Sequence, residues 1–199
     1  DANNNVISQT TGGSTRTFDY DRNRLVTSQV GPYSGGYTYD PFGRLETARL
    51  WGIEVERHTY DGFDRPLSHR ASGRTTTYSY DPLDRTTTKT TQAGTASAET
   101  TTYNYLGLSG EVLDEEVAGA VTRSYQYSPW GERLSQVTHN ADGTTEDGYY
   151  GYNPHTDVET VTDDAGNTEA TYGYTAYGNN NTGLFTGVDQ PTAGDPTAE

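Results

Sequence analysis

Four histidines, His58, His69, His139 and His155, are the first residues to test for chemistry. None lies in an H-E-x-x-H or comparable metal-ligand spacing, so the sequence predicts no metal site. His58 falls where a tyrosine recurs elsewhere in the chain and reads as a tyrosine substitute. Carboxylates are plentiful, and Glu115-Glu116 and Asp163-Asp164 are the closest pairs for acid/base work. Adjacent residues on a strand point to opposite faces, so neither pair converges on one substrate. Asp163-Asp164 followed by Gly166 also reads as a hairpin turn. "NADG" (140–143) lacks the alternating ligands of a calcium loop. "TGGST" (11–15) and "YSGGY" (33–37) lack the Gly-Lys-Ser/Thr of a phosphate loop, and no Gly-x-Ser-x-Gly elbow occurs. The expectation is no catalytic residue, no cofactor and no catalysis.

Tyrosine is the residue the chain uses most pointedly. Aligned copies place one tyrosine column at Tyr20, Tyr39, Tyr60, Tyr80, Tyr105, Tyr127, Tyr152 and Tyr174. Two positions earlier stand Phe18, Tyr37, His58, Tyr78, Tyr103, Tyr125, Tyr150 and Tyr172. Fourteen of the 17 tyrosines lie in these columns, at spacings of 19 to 25 residues. Eight copies make a repeat protein, whose units stack on their neighbours.

Each copy reads as a hairpin. Tyr-x-Tyr puts two rings on one face of a strand, and Tyr and Thr are favoured in strands. In "DPFG" Asp40 suits the first turn position, Pro41 presets the next, and Gly43 takes a positive φ. That is a type I turn with a glycine bulge. Comparable turns are expected at 61–64, 81–84 and 128–131, the last with Gly131. The chain then returns, as in "RLETARL" (44–50), and a short connection such as "WGI" leads out again. No helical periodicity occurs. The predicted fold is an all-β antiparallel meander with about two strands per copy.

The rings have two readings. They pack on each other and on Leu25, Leu45, Leu67 and Leu134, or they form an exposed platform for a glycan. Arg24, Arg44, Arg65, Arg85 and Arg133 follow the turns, and either stack on rings or pair with the aspartate before them, such as Asp40 or Asp81. A formal charge of -15 argues against nucleic acid and anionic membrane. With no Cys there is no disulfide. No stretch is apolar enough to span a membrane, and the "DANNNV" start reads as a piece of something longer.

Tyr-Asp followed by Pro/Gly-x-Gly/Asp-Arg, as in "FDYDRNRL", "YTYDPFGRL", "TYDGFDRPL" and "YSYDPLDR", resembles the YD repeat of RHS-repeat proteins. The aspartate drops out later, where Leu106, Ser128, Asn153 and Thr175 follow the tyrosine. The resemblance spans about residues 15 to 178, with repeats over 1–178 and a Gly/Pro/Asn-rich segment, 179–199, leading toward a core domain that is absent. It implies a section of a spiralling β-shell that encloses a secreted bacterial toxin, with no activity of its own. The implied partners are the rest of the shell and the toxin, at a secreted or cell-surface location. The alternative is an adhesion or glycan-binding module, as in teneurin-like scaffolds. Cut edge strands of such a wall are expected to self-associate.

Overall fold

The computed structural model describes residues 1–175, 178 and 181–187. The 179–199 segment of the sequence reading therefore lies largely outside the described residues. The chain forms two compact units, Asp1–Thr101 and Thr102–Glu199. The first holds β1 (Ser8–Thr11), β2 (Ser14–Asp21), β3 (Arg24–Val30), β4 (Tyr33–Tyr39) and β5 (Leu45–Leu50). It continues with β6 (Ile53–Tyr60), β7 (Pro66–Ala71), β8 (Arg74–Tyr80) and β9 (Thr86–Thr91). β10 (Glu99–Tyr105) crosses the boundary in sequence. The second unit holds β11 (Val112–Val117), β12 (Ala120–Tyr127), β13 (Arg133–His139), β14 (Thr145–Tyr152), β15 (Val158–Thr162), β16 (Thr168–Thr171) and β17 (Thr186–Gly187). Within each unit successive strands pair antiparallel. Among the described residues the only helical element is the 3-10 turn Thr182–Leu184. The fold is the all-β meander expected.

Two kinds of turn alternate from β4 to β8, whereas from β12 to β16 the first kind recurs at every connection. After Tyr39, Gly43 N–H donates to the Asp40 carbonyl at 2.9 Å, and Gly43 adopts φ of 89°. Asp40 N–H donates to the Arg44 carbonyl, and the β4–β5 register slips between Thr38 and Tyr39. This is a type I turn closed by a bulge. β5–β6, β7–β8 and β11–β12 use two-residue turns with positive φ at both positions, as at Trp51 (50°) and Gly52 (76°). Those mirror-image turns match the twist of the strands they join.

The residue between the tyrosines of each copy faces the other way. Thr38 is hydrogen-bonded to Thr47 at 2.6 Å, Thr59 to Ser68 at 2.7 Å, and Thr88 donates to Ser79 at 2.8 Å. In each pair the partners lie opposite in register. The first unit thus has a tyrosine face and a hydroxyl face.

A deep core is missing. Among the described residues only Ala48, Tyr125, Val161 and Ala170 are buried apolar side chains. The other tyrosines of the two columns are half-buried, so they do not form a core with the four leucines. Leu25 and Leu45 do lie opposite Tyr20 and Tyr39. Leu67 and Leu134 are 41% and 47% exposed, against the packing reading. The cause is register. Pro66 sits opposite Tyr60, and Arg133 opposite Tyr127. Each leucine is displaced by one residue, and a one-residue slip turns a side chain to the other face.

Candidate functional site

In seven of the eight copies the second tyrosine is a strap to the chain before it. Tyr39 Oη donates to the Leu25 carbonyl at 2.7 Å, Tyr60 to Leu45 at 2.9 Å, and Tyr80 to Pro66 at 2.8 Å. Tyr20 reaches Val6, Tyr127 reaches Val112, Tyr152 reaches Arg133 and Tyr174 reaches Val158 in the same way. The acceptors of Tyr39, Tyr60 and Tyr80 stand at or near the start of the previous returning strand, opposite a register bulge. Burial pushes the hydroxyls of Tyr39, Tyr60, Tyr80, Tyr152 and Tyr174 above the ordinary tyrosine range.

The turn residues supply a second link. Asp40 Oδ1 accepts the N–H groups of Phe42 and Arg44, both at 2.9 Å, and Oδ2 accepts Arg44 Nε at 2.6 Å. Asp61 holds Phe63 and Arg65 in the same way, and Asp81 holds Leu83 and Arg85. The arginine then reaches forward. Arg44 Nη1 donates to the Asp61 carbonyl and to Asp64 Oδ1, at 2.9 and 2.8 Å. Arg65 does the same to Asp81 and Asp84. Asp64 and Asp84 occupy the positive-φ turn position, at 67° and 63°, where Gly43 and Gly131 stand in other copies. Aspartate tolerates this conformation and there acts as receiver for the previous arginine. Each guanidinium also lies over the next tyrosine: Arg24 over Tyr39, Arg44 over Tyr60 and Arg65 over Tyr80, at 4.6 to 5.2 Å. Stacking and pairing therefore both occur, in the same residue.

Arg133 breaks this pattern. It stands one register later and lies 3.9 Å from the centre of the Tyr125 ring, with Nη2 donating to Tyr127 Oη at 3.2 Å. Tyr125 is only 7% exposed and donates to Glu115 Oε1 at 2.6 Å. Tyr150 donates to Gln136, and Tyr172 packs edge-on against Phe185. Tyr37 and Tyr78 lie opposite Ala48 and Lys89. Tyr103 and Tyr105 close β10.

The remaining candidates serve the backbone. Glu115 is held by Tyr125, and Glu116 accepts Asn104 Nδ2 at 3.0 Å. Asp163 caps its turn through the N–H and side chain of Asn167. Gly12 and Gly13 form a turn, whereas Gly35 and Gly36 lie in β4 beside a shallow open hollow of about 280 Å³ with Ser28 and Arg49. His139 is hydrogen-bonded to Ser124. His155 stands in an exposed turn. His58 and His69 face each other across β6–β7, with Glu56 against both. No helix of the described residues is long and apolar enough to cross a membrane.

The carboxylates set an acid limit. Burial alone would raise Asp40, Asp61 and Asp81, but the backbone N–H and guanidinium of Arg44, Arg65 and Arg85 more than offset it and hold all three below the usual carboxylate range. A depressed carboxyl stabilises the fold above its unfolded pKa of about 3.9 and loses that contribution as pH falls through the folded value. The raised tyrosines act oppositely, stabilising fully below about pH 10 and losing the contribution above it. Thermal melts should therefore show a plateau from about pH 5 to 9, with a drop on the acid side below about pH 4. Asp40→Asn, Asp61→Asn and Asp81→Asn together should remove much of the acid drop. An unchanged acid limb in that variant would show that these turns do not set it.

Residues 60–97 match the protein family described as RHS Repeat. The chain is 32% identical over 179 residues to the tRNA3(Ser)-specific nuclease WapA of Bacillus spizizenii, an alignment covering 88% of this chain and 6% of that protein. It is 38% identical over 102 residues to double-stranded DNA deaminase toxin A of Burkholderia cenocepacia, covering 47% of this chain and 7% of the other. The chain thus spans a small fraction of these relatives. Among solved structures, the Photorhabdus luminescens Tc holotoxin pore matches with a TM-score of 0.57 at 17% identity, covering 81% of this chain and 10% of that one. The crystal structure of TcdB2-TccC3 with Cdc42 matches with a TM-score of 0.57 at 18% identity, over 82% of this chain and 10% of that one.

Proposed function

Because this chain is an RHS-repeat protein, we propose that it is a section of wall in a shell that encloses a toxin, and that it works by structure rather than catalysis. The observation that carries this reading is the double link between copies. Tyrosine hydroxyls and arginine forks, the side chains best suited to grip a ligand, are spent on the neighbouring repeat. That use also weakens the glycan reading, since a strapped, guanidinium-covered ring offers little free face. The nuclease and deaminase named in the relatives would belong to other parts of those longer chains. The wall would comprise residues 1–178, with 179–199 leading onward. Its partners would be the remainder of its own shell and the enclosed toxin. It would act outside the producing cell.

Two measurements test this. The purified chain should leave tRNA and double-stranded DNA unchanged. Cleavage or deamination abolished by one substitution in this chain would overturn the reading. In a polypeptide carrying this segment with its toxin, the toxin should resist protease. Asp40→Ala, Asp61→Ala and Asp81→Ala together should expose it. Equal digestion before and after would mean that this segment encloses nothing.

A further inference from the structure

His58 is the one imidazole in a column of phenyl and phenol rings, and its cross-strand partner is distinctive as well. Tyr37 lies opposite Ala48, Tyr78 opposite Lys89, Tyr125 opposite Gln136 and Tyr150 opposite Val161. His58 lies opposite His69. Glu56 is two residues before His58 on β6, so all three side chains share a face. Glu56 Oε1 lies 3.0 Å from His58 Nε2 and 2.9 Å from His69 Nε2. The imidazoles are stacked, with centroids 4.7 Å apart and planes 17° from parallel. One ligand atom from each residue falls within 4.8 Å of the others.

We propose that Glu56, His58 and His69 bind one divalent transition-metal ion of the zinc class, clipping β6 to β7. Two imidazole nitrogens and a carboxylate oxygen form a donor set that suits zinc, copper or nickel better than magnesium or calcium. Bonds of about 2.0 to 2.1 Å in a tetrahedral site separate ligand atoms by roughly 3.4 Å. To admit the ion, the two contacts to Glu56 open by about 0.5 Å and the near-parallel imidazoles turn so that both Nε2 atoms face it. Side-chain exposures of 19%, 35% and 35% for His58, His69 and Glu56 leave one flank open for water to complete the coordination. Behind His58 the ring of Tyr60 is stacked at 6.2 Å and limits its swing. Metal binding stands on this hairpin alone and is independent of what the wall encloses.

The test uses the chain without an affinity tag. Zinc titrated by calorimetry should give one ion per chain. Saturating zinc should raise the melting temperature by about 5 °C, reversed by EDTA. Cobalt in place of zinc should report imidazole ligation by its visible absorption. His58→Tyr restores the residue of its column, so it should keep the native strand signal in EDTA while losing the zinc-dependent shift. His69→Gln, a milder change at a more exposed position, should lose the shift too. Absence of saturable zinc binding by the native chain overturns the proposal. So does zinc binding of native strength in both variants.

Discussion

Replacing Tyr125 by alanine should cost the second unit about 4 kcal/mol, the largest effect of any single substitution considered for this chain. Tyr125 is the only tyrosine among the described residues that is truly buried. Its removal opens a cavity beneath the Arg133 guanidinium and leaves the Glu115 carboxylate without its donor. Tyr125→Phe keeps the ring and removes only that donor, so it should cost about 2 kcal/mol, as expected for a hydrogen bond to a charged acceptor. Burial, and then Glu115, push the Tyr125 hydroxyl far above the ordinary tyrosine range. The residue should therefore stay protonated where exposed tyrosines ionise. Urea melts of the three proteins decide the matter. A loss under about 1 kcal/mol for Tyr125→Ala would show that this side chain is not the anchor of its unit.

The second large effect is expected at Tyr80. Its ring is half-buried under Arg65 and its hydroxyl is bonded to the Pro66 carbonyl. Truncation to alanine should cost about 2 to 3 kcal/mol, less than a fully buried aromatic because half the ring already meets water. Tyr80→Phe isolates the strap and should cost about 1 kcal/mol. Tyr33 is 56% exposed and touches chiefly Trp51, so Tyr33→Ala should cost under about 1 kcal/mol. Denaturant midpoints that rank Tyr33 with Tyr80 would mean that the strap carries no stability.

The parts of this fold that were legible in the sequence are those set by neighbouring residues. Asp40, Pro41 and Gly43 specify their turn through backbone angles and a side chain reaching two to four residues on, so spacing alone reveals it. Tyr-x-Tyr likewise fixes a face through the two-residue pleat. The straps were not legible because their acceptors are carbonyls, which every residue has. Nor was the arginine's forward reach, since Asp64 receives Arg44 only when it stands in the left-handed turn position. Leu67 and Leu134 were misplaced because one extra residue before each reversed its direction. His58 and His69 match no metal-ligand spacing, yet eleven residues apart in sequence they are register partners in space. Strand pairing makes neighbours that no linear motif describes.

The straps also give the chain a direction in time. The strap hydroxyls of Tyr20, Tyr39, Tyr60, Tyr80, Tyr127, Tyr152 and Tyr174 each reach back to a carbonyl 14 to 19 residues earlier in sequence. During synthesis a repeat leaving the ribosome would find its acceptor already laid down and folded. The strap needs nothing that has not yet been translated, while the arginine's forward link closes when the next turn emerges. Growth can then proceed like masonry, one course set on the last. Contacts this local keep chain-closure entropy low at every step.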